Sequence, residues 1–109
     1  MKTVFQALVD EVLFPIGIGK VENIIIKRGL SGDEEYNAET SASIPYKGAL
    51  ADCLFSLLQA VNFSEADKSV GALTDAQRKS VLKMANALYG EIGEEEKEDP
   101  LTPKVYINC

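Results

Sequence analysis

Apolar residues recur with a helical period in four stretches of the chain, separated by polar segments. From Tyr46 to Phe63 the polar residues are confined to a narrow arc of the helical wheel, and apolar residues take the rest. So narrow a polar arc indicates a helix that other elements cover on most sides. The sequence therefore predicts an all-α fold, a compact bundle of about four helices around a central buried helix, with helices near 3–14, 20–28, 45–62 and 75–92.

Residues typical of helix ends flank these stretches. Thr3 can cap the first helix and Pro15 ends it, because proline lacks an amide hydrogen and disfavours helical geometry before it. Ser43 can cap the central helix, with Pro45 in its first turn. Thr74 to Gln77 has the pattern of a capping box, and Gly93 follows the fourth helix. Helical spacing predicts that the apolar side of this helix consists of Val81, Leu82, Met84, Ala85, Leu88, Tyr89 and Ile92.

The second stretch is the most ambiguous. Its three consecutive isoleucines, Ile24 to Ile26, favour a strand. Helical spacing nevertheless places Val21 and Arg28 on the same face as Ile24 and Ile25, and Gly29 stands where a left-handed cap belongs. We predict a helix here.

Two polar segments flank the bundle. Residues 31–44 form a long connection, in which Tyr36 either packs onto the core or is an exposed contact. We divide the chain into one helical domain, 1–93, and an acidic, proline-containing tail, 94–109, and we interpret its acidic run, Glu94 to Glu96, as solvated charge. The end of the tail alternates polar and apolar residues and can add a strand to a partner's sheet. The candidate interaction residues are Tyr36, Lys104, Val105, Tyr106 and Ile107.

Charge and composition narrow the choice of partners. The chain has 11 basic and 17 acidic residues, a net charge of -6, and no dense basic patch. Because neutralising phosphates supplies most non-specific affinity for DNA and RNA, we expect no nucleic-acid binding. The longest weakly polar run is too short to span a bilayer, and Asp10 and Glu11 interrupt any signal-peptide core. We expect a cytoplasmic protein with no membrane association.

The chain lacks the residue types on which the commonest enzyme active sites depend. The chain has no histidine and only two cysteines, Cys53 and Cys109, which excludes histidine-dependent nucleophiles and an ordinary zinc site. Gly17 to Lys20 lacks the flanking residues of a phosphate-binding loop. Asp52 lies on the polar arc of the central helix. For its carboxylate we favour a structural hydrogen bond or exposure to solvent over a catalytic role. We expect no enzyme activity, no cofactor and no metal.

Several short motifs resemble a family of small uncharacterised helical proteins encoded in prophage-like regions, with the likeness covering about residues 20 to 93. The motifs are Lys27-Arg28-Gly29-Leu30 with Tyr36, Ala51-Asp52, and Ala85-Asn86-Ala87-Leu88-Tyr89-Gly90 with Gly93. That family is similar in size and layout to phage head-tail connector proteins. The resemblance implies a structural assembly subunit whose partners are its own copies and portal and tail proteins. The alternative is a small monomeric protein-binding or regulatory domain.

Overall fold

The computed structural model describes residues 1–12, 16–60 and 73–98, and these ranges contain five α-helices. Four of them correspond to the four predicted helices. A short additional helix lies in the connection between the second and the central one. In chain order the helices are α1 (Val4–Val12), α2 (Ile18–Lys27), α3 (Ala38–Ser41), α4 (Ile44–Ala60) and α5 (Asp75–Glu91).

The central position of α4 is confirmed. It contacts each of the other four helices, and its most extensive contact is with α5. No residue between positions 46 and 58 is exposed, and Tyr46, Cys53 and Leu58 are almost completely buried. Burying apolar side chains on all sides of one helix supplies the hydrophobic stabilisation that a chain of this size needs.

The predicted caps are confirmed at three helix starts. Thr3 and Thr74 each form a reciprocal capping box, with Gln6 and Gln77 respectively. At the start of α4, the Tyr46 amide donates to Ser43 Oγ at 3.3 Å. The predicted stop at Pro15 and the end of the central helix beyond Ala60 lie outside the described residues.

The second stretch is helical, as predicted, because one face of α2 is buried. Val21, Ile24 and Ile25 lie in the core, whereas the third isoleucine, Ile26, is 71% exposed. A strand would have placed neighbouring isoleucines on opposite faces, and the core lies only on one side of α2. Gly29 follows with φ of 78°, the left-handed geometry expected of a cap.

The connection over 31–44 is more ordered than the sequence predicted. Asn37 accepts a hydrogen bond from the Thr40 amide at 2.9 Å and thereby caps α3, which was missed because four residues show no period. Upstream of it, the carbonyls of Glu34 and Gly32 accept from the Val4 and Phe5 amides at 2.9 and 3.2 Å. These bonds satisfy donors that the first turn of α1 leaves unpaired.

The buried face of α5 differs from the predicted one at two positions. Arg78 is buried and Met84 is 43% exposed, so the buried stripe runs through Arg78, Val81, Ala85 and Tyr89. The Arg78 guanidinium lies 3.4 Å from the Leu58 carbonyl oxygen, one of the last carbonyls of α4. Helix-terminal carbonyls lack an intrahelical partner and attract cations, which accounts for a buried arginine there.

Candidate functional site

Four polar side chains meet where α2, α4 and α5 come together. Arg28 caps the C-terminal end of α2, Asp52 lies midway along α4, Tyr89 is near the end of α5, and Glu94 follows α5. We call these four residues the Arg28 cluster. Tyr89 is almost completely buried, and the other three side chains are partly buried, with relative exposures of 20% for Arg28, 27% for Asp52 and 36% for Glu94.

The Arg28 guanidinium holds two carboxylates at once. Its Nε and Nη2 atoms donate to Asp52 Oδ2 and Oδ1 at 2.7 and 3.0 Å. Its Nη1 and Nη2 atoms donate to Glu94 Oε2 and Oε1 at 2.6 and 3.1 Å. The Tyr89 hydroxyl donates to Asp52 Oδ1 at 2.6 Å. Each carboxylate is therefore bound bidentately, the strongest arrangement that arginine offers.

Two helix ends of the same type deliver Arg28 and Glu94 to this point. After α2, the Leu30 amide donates to the Ile25 carbonyl at 3.0 Å. After α5, the Glu94 amide donates to the Tyr89 carbonyl at 2.8 Å, past Gly93 with φ of 81°. Both bonds belong to Schellman motifs, in which a left-handed glycine turns the chain sharply. The two turns place the charged residues beside Asp52.

The electrostatics of the Arg28 cluster favour its charged form. Hydrogen bonds to Asp52 and then to Glu94 raise the pKa of Arg28, and the hydrogen bond from Arg28 lowers the pKa of Glu94. Burial raises the pKa of the Tyr89 hydroxyl, and its bond to Asp52 raises it further. Tyr89 therefore stays a neutral donor while the arginine and glutamate stay charged. Both Asp52 oxygens already accept hydrogen bonds, so the arrangement suits structural pairing.

The residues after α5 continue back alongside that helix. Asn86 donates from Nδ2 to the Lys97 carbonyl at 2.9 Å and accepts from the Lys97 amide at 2.7 Å. The Lys97 ammonium lies 4.3 Å from the centre of the Tyr89 ring, a cation–π distance. The acidic run was interpreted as solvated charge. Glu94 departs from that interpretation because Arg28 binds it, whereas Glu95 and Glu96 are exposed.

A groove lies beside α2 and adjoins the core, because the buried Ile25 is among the residues that line it. It has a volume of about 620 Å³, within the range of ligand-binding pockets. Its lining includes α1, α2 and the residues after α2. We call it the α1–α2 groove; the side chains that give it its character are Phe5, Glu22, Ile25, Ile26, Leu30 and Asp33.

Residues 1–12, 16–60 and 73–98 contain no group of three or more metal-ligating side chains. None of the helices in those same ranges has the length and apolar character needed to cross a bilayer.

Comparison with known proteins places the chain in a family. A family model matches residues 2–108. The chain belongs to this family of unknown function, DUF6706. No curated protein and no solved structure gives a significant match. The expectation that the chain belongs to an uncharacterised family is thereby confirmed, over nearly the whole chain. The origin of that family in prophage-like regions stays a prediction.

Of the five predicted interaction residues of this DUF6706 chain, only Tyr36 lies within the described residues. Tyr36 is half-buried, and its ring centre lies 5.1 Å from that of Tyr46, a packing contact of the kind that pins a loop to a core. Tyr46 in turn donates from its hydroxyl to Glu11 Oε1 on α1. The other predicted residues, Lys104 to Ile107, lie outside the described residues. The contact role of all five stays a prediction.

The Arg28 cluster of this DUF6706 protein was not predicted as a unit, although several of its members had been noted in the sequence. Arg28 was placed on the buried face of α2, and Asp52 on the polar arc of α4. The signal in the sequence that could have indicated the cluster is the pair of glycine caps. Gly29 turns the chain immediately after Arg28, and Gly93 turns it immediately before Glu94. Nothing in the spacing of residues 28, 52 and 94 along the chain indicates that they meet.

Proposed function

We propose that this protein is a non-catalytic structural subunit of a phage or prophage assembly, similar to a head-tail connector subunit. The observation that carries the proposal is the Arg28 cluster. One guanidinium connects α2, α4 and the residues after α5, and it binds the carboxylate that was the best candidate for chemistry.

The cluster supports a structural role because its groups satisfy one another. Asp52 accepts hydrogen bonds from Arg28 and from Tyr89, and a substrate would have to displace them. Catalytic acids and bases need an accessible proton-transfer position and a pKa matched to that task. A partly buried, doubly bound carboxylate instead contributes rigidity, which a subunit that transmits force between neighbours requires.

The outer face of α2 supports an assembly role. Ile18 is 61% exposed and Ile26 is 71% exposed. At about 100° per residue the two lie within about 80° of each other around the helix, with Glu22 between them. Single exposed apolar residues are ordinary, but two on one helix face beside a groove form a surface that a protein neighbour can cover.

The link to phage comes from the resemblance of the motifs around Lys27–Leu30 and Ala85–Gly90 to a family encoded in prophage-like regions. The connector form of the proposal comes from the similarity of that family to connector proteins in size and helical layout. In the structure the two motifs lie at the ends of α2 and α5, where they supply Arg28 and Tyr89 to one cluster. The proposed partners are other copies of the chain and portal and tail proteins.

Size-exclusion chromatography with light scattering, over a wide range of protein concentration, tests the proposal. We expect a molar mass that rises with concentration to a fixed oligomer, and Ile26→Asp should lower it. Met84→Asp is the matched control, because Met84 is also exposed but lies on α5. A strict monomer at all concentrations, also after addition of a portal protein, would support the monomeric binding domain instead.

A further inference from the structure

The α1–α2 groove combines apolar and acidic side chains. Phe5 and Leu30 are partly buried against the core, and Ile26 is exposed. Glu22 and Asp33 line the same groove and are both exposed. An occupant that suits this lining carries apolar side chains together with a positive charge. A negatively charged occupant would be repelled by the carboxylates of Glu22 and Asp33.

The backbone beside the groove has few groups to offer an anion. The first amides of α1 donate to the carbonyls of Glu34 and Gly32 and to Thr3 Oγ1. A helix N-terminus attracts anions through such amides only when they are unpaired. The occupant of the groove is therefore selected by the side chains that line it, among which are apolar and negatively charged ones.

The end of the chain has the complementary chemistry. Residues 100–109 contain one basic residue, Lys104, and no acidic residue, although the chain as a whole has a net charge of -6. Lys104 is followed directly by Val105, Tyr106 and Ile107. A cation beside three apolar side chains matches a groove whose charged side chains are both carboxylates and whose lining otherwise combines apolar residues with neutral ones such as Gln6 and Ser31.

The proposed assembly of copies favours a second copy as the source of this segment. Lys97 is fixed to α5 through Asn86 and Tyr89, and among the described helices α5 packs on α4. The groove is built from α1, α2 and the residues after α2. The described residues therefore end beside α5, which does not line the groove.

We propose that the α1–α2 groove of one copy binds residues Lys104–Ile107 of a second copy. The inference rests on the proposed assembly function and names the contact through which copies associate. Each copy has one groove and one such segment, so the contact is head-to-tail and closes into a ring or continues as a filament.

Disulfide trapping in the full-length chain tests this contact. Cys109 follows Ile107 by two residues, and Cys53 is buried in α4 and does not compete for oxidation. We would mix Asp33→Cys/Cys109→Ser protein, whose groove keeps the carboxylate of Glu22, with the wild-type chain under oxidised glutathione. In that mixture a disulfide between position 33 and Cys109 can form only between copies. Lys79→Cys/Cys109→Ser, with an exposed site on α5, is the matched control.

We expect about tenfold more cross-linked dimer from position 33 than from position 79, because binding raises the local concentration of the Cys109 thiol. Lys104→Glu in the chain that supplies Cys109 should remove most of that excess. Adding Glu22→Lys to the chain that carries the groove should restore the excess of cross-linked dimer. The positive and negative partners, Lys104 and Glu22, have then exchanged their charges.

The remaining outcomes separate this inference from the proposed function. Equal cross-linking at positions 33 and 79, in a chain that light scattering shows to be oligomeric, overturns the groove contact and leaves the assembly function standing. A chain that is monomeric at every concentration overturns both. A concentration-independent intramolecular disulfide in Asp33→Cys protein that retains Cys109 assigns the groove to the chain's own segment and overturns the second-copy contact.

Discussion

The Arg28 guanidinium occupies the space that a side chain on Gly48 would fill. A Cβ atom placed on Gly48 would lie 2.7 Å from Arg28 Cζ and Nη1 and 2.9 Å from Nε. Real Cβ atoms do not approach other heavy atoms so closely. Because those same guanidinium nitrogens bind Asp52 and Glu94, the glycine in the first half of α4 leaves the space that the Arg28 cluster needs.

Gly48→Ala should therefore destabilise the protein, against the usual trend. Replacing glycine by alanine inside a helix normally gains about 0.5–1 kcal/mol. Here the methyl group must displace Arg28, and losing hydrogen bonds between charged groups costs about 1.5–3 kcal/mol. We expect the free energy of unfolding in urea to fall by about 1–2 kcal/mol, the difference of these two terms.

Gly90→Ala is the matched control, since Gly90 is also helical and has no heavy atom near its missing Cβ. We expect this variant to be more stable than wild type by about 0.5–1 kcal/mol. If both variants gained stability equally, the guanidinium would not be held against α4.

The paired state of Glu94 predicts a dependence of stability on pH. Arg28 lowers the pKa of Glu94 in the folded state below its ordinary value of 4.5. A carboxyl whose pKa is lower when folded stabilises the protein fully above its unfolded pKa, and this stabilisation is lost as pH falls through the folded value. Urea unfolding from pH 7 to pH 3 should therefore show a loss of stability below about pH 4.5 that Glu94→Gln reduces.

Glu95→Gln provides the comparison for this pH series, because Glu95 is exposed and adjacent in sequence. We expect its stability profile to follow wild type. Identical acid profiles for wild type and Glu94→Gln would show that Arg28 does not bind Glu94 in solution.

Cys53 should react with thiol reagents only when the protein unfolds. Burial raises the pKa of its thiol to about 12, with a smaller contribution from Asp52. Relative to the ordinary value of 9.0, that shift alone reduces the reactive thiolate about a thousandfold near neutral pH. In the Cys109→Ser chain, iodoacetamide labelling should be at least that much slower in buffer than in denaturing urea.

An exposed thiol serves as the reference for this labelling experiment. Lys79→Cys combined with Cys109→Ser should react at nearly the same rate in buffer and in urea at its exposed position. Rapid modification of Cys53 in buffer would mean that α4 opens to solvent and is not the covered central helix described here.

The helices were predictable from sequence because their signals are local. Thr74 and Gln77 specify the start of α5 within four residues, and Gly29 specifies the end of α2 by itself. The covered position of α4 followed from its narrow polar arc. Each of these inferences needs only neighbouring residues, and each is confirmed.

The Arg28 cluster was beyond sequence reasoning because its members lie far apart in the chain. Arg28 and Glu94 are 66 positions apart, and Arg28 and Asp52 are 24 apart. Charge alone suggested that Glu94 was solvated, as its neighbours Glu95 and Glu96 are. Likewise, helical spacing placed Met84 on the buried face of α5, where packing on α4 instead selects Arg78. Tertiary packing decides such positions.

The central structural claim is that Arg28 and Asp52 act as one unit in the folded protein. If so, removing one partner leaves the other partly buried and unpaired, which is costlier than removing both. The variants Arg28→Met and Asp52→Leu, alone and combined, form a double-mutant cycle that isolates their interaction from other contacts.

Urea unfolding of wild type, the two single variants and the double variant is the most direct measurement. We expect a coupling energy of about 1–3 kcal/mol, with the double variant losing less stability than the two single losses added together. Additive losses, with coupling below about 0.5 kcal/mol, would contradict the account, because Asp52 would then be free of Arg28 and available for another role.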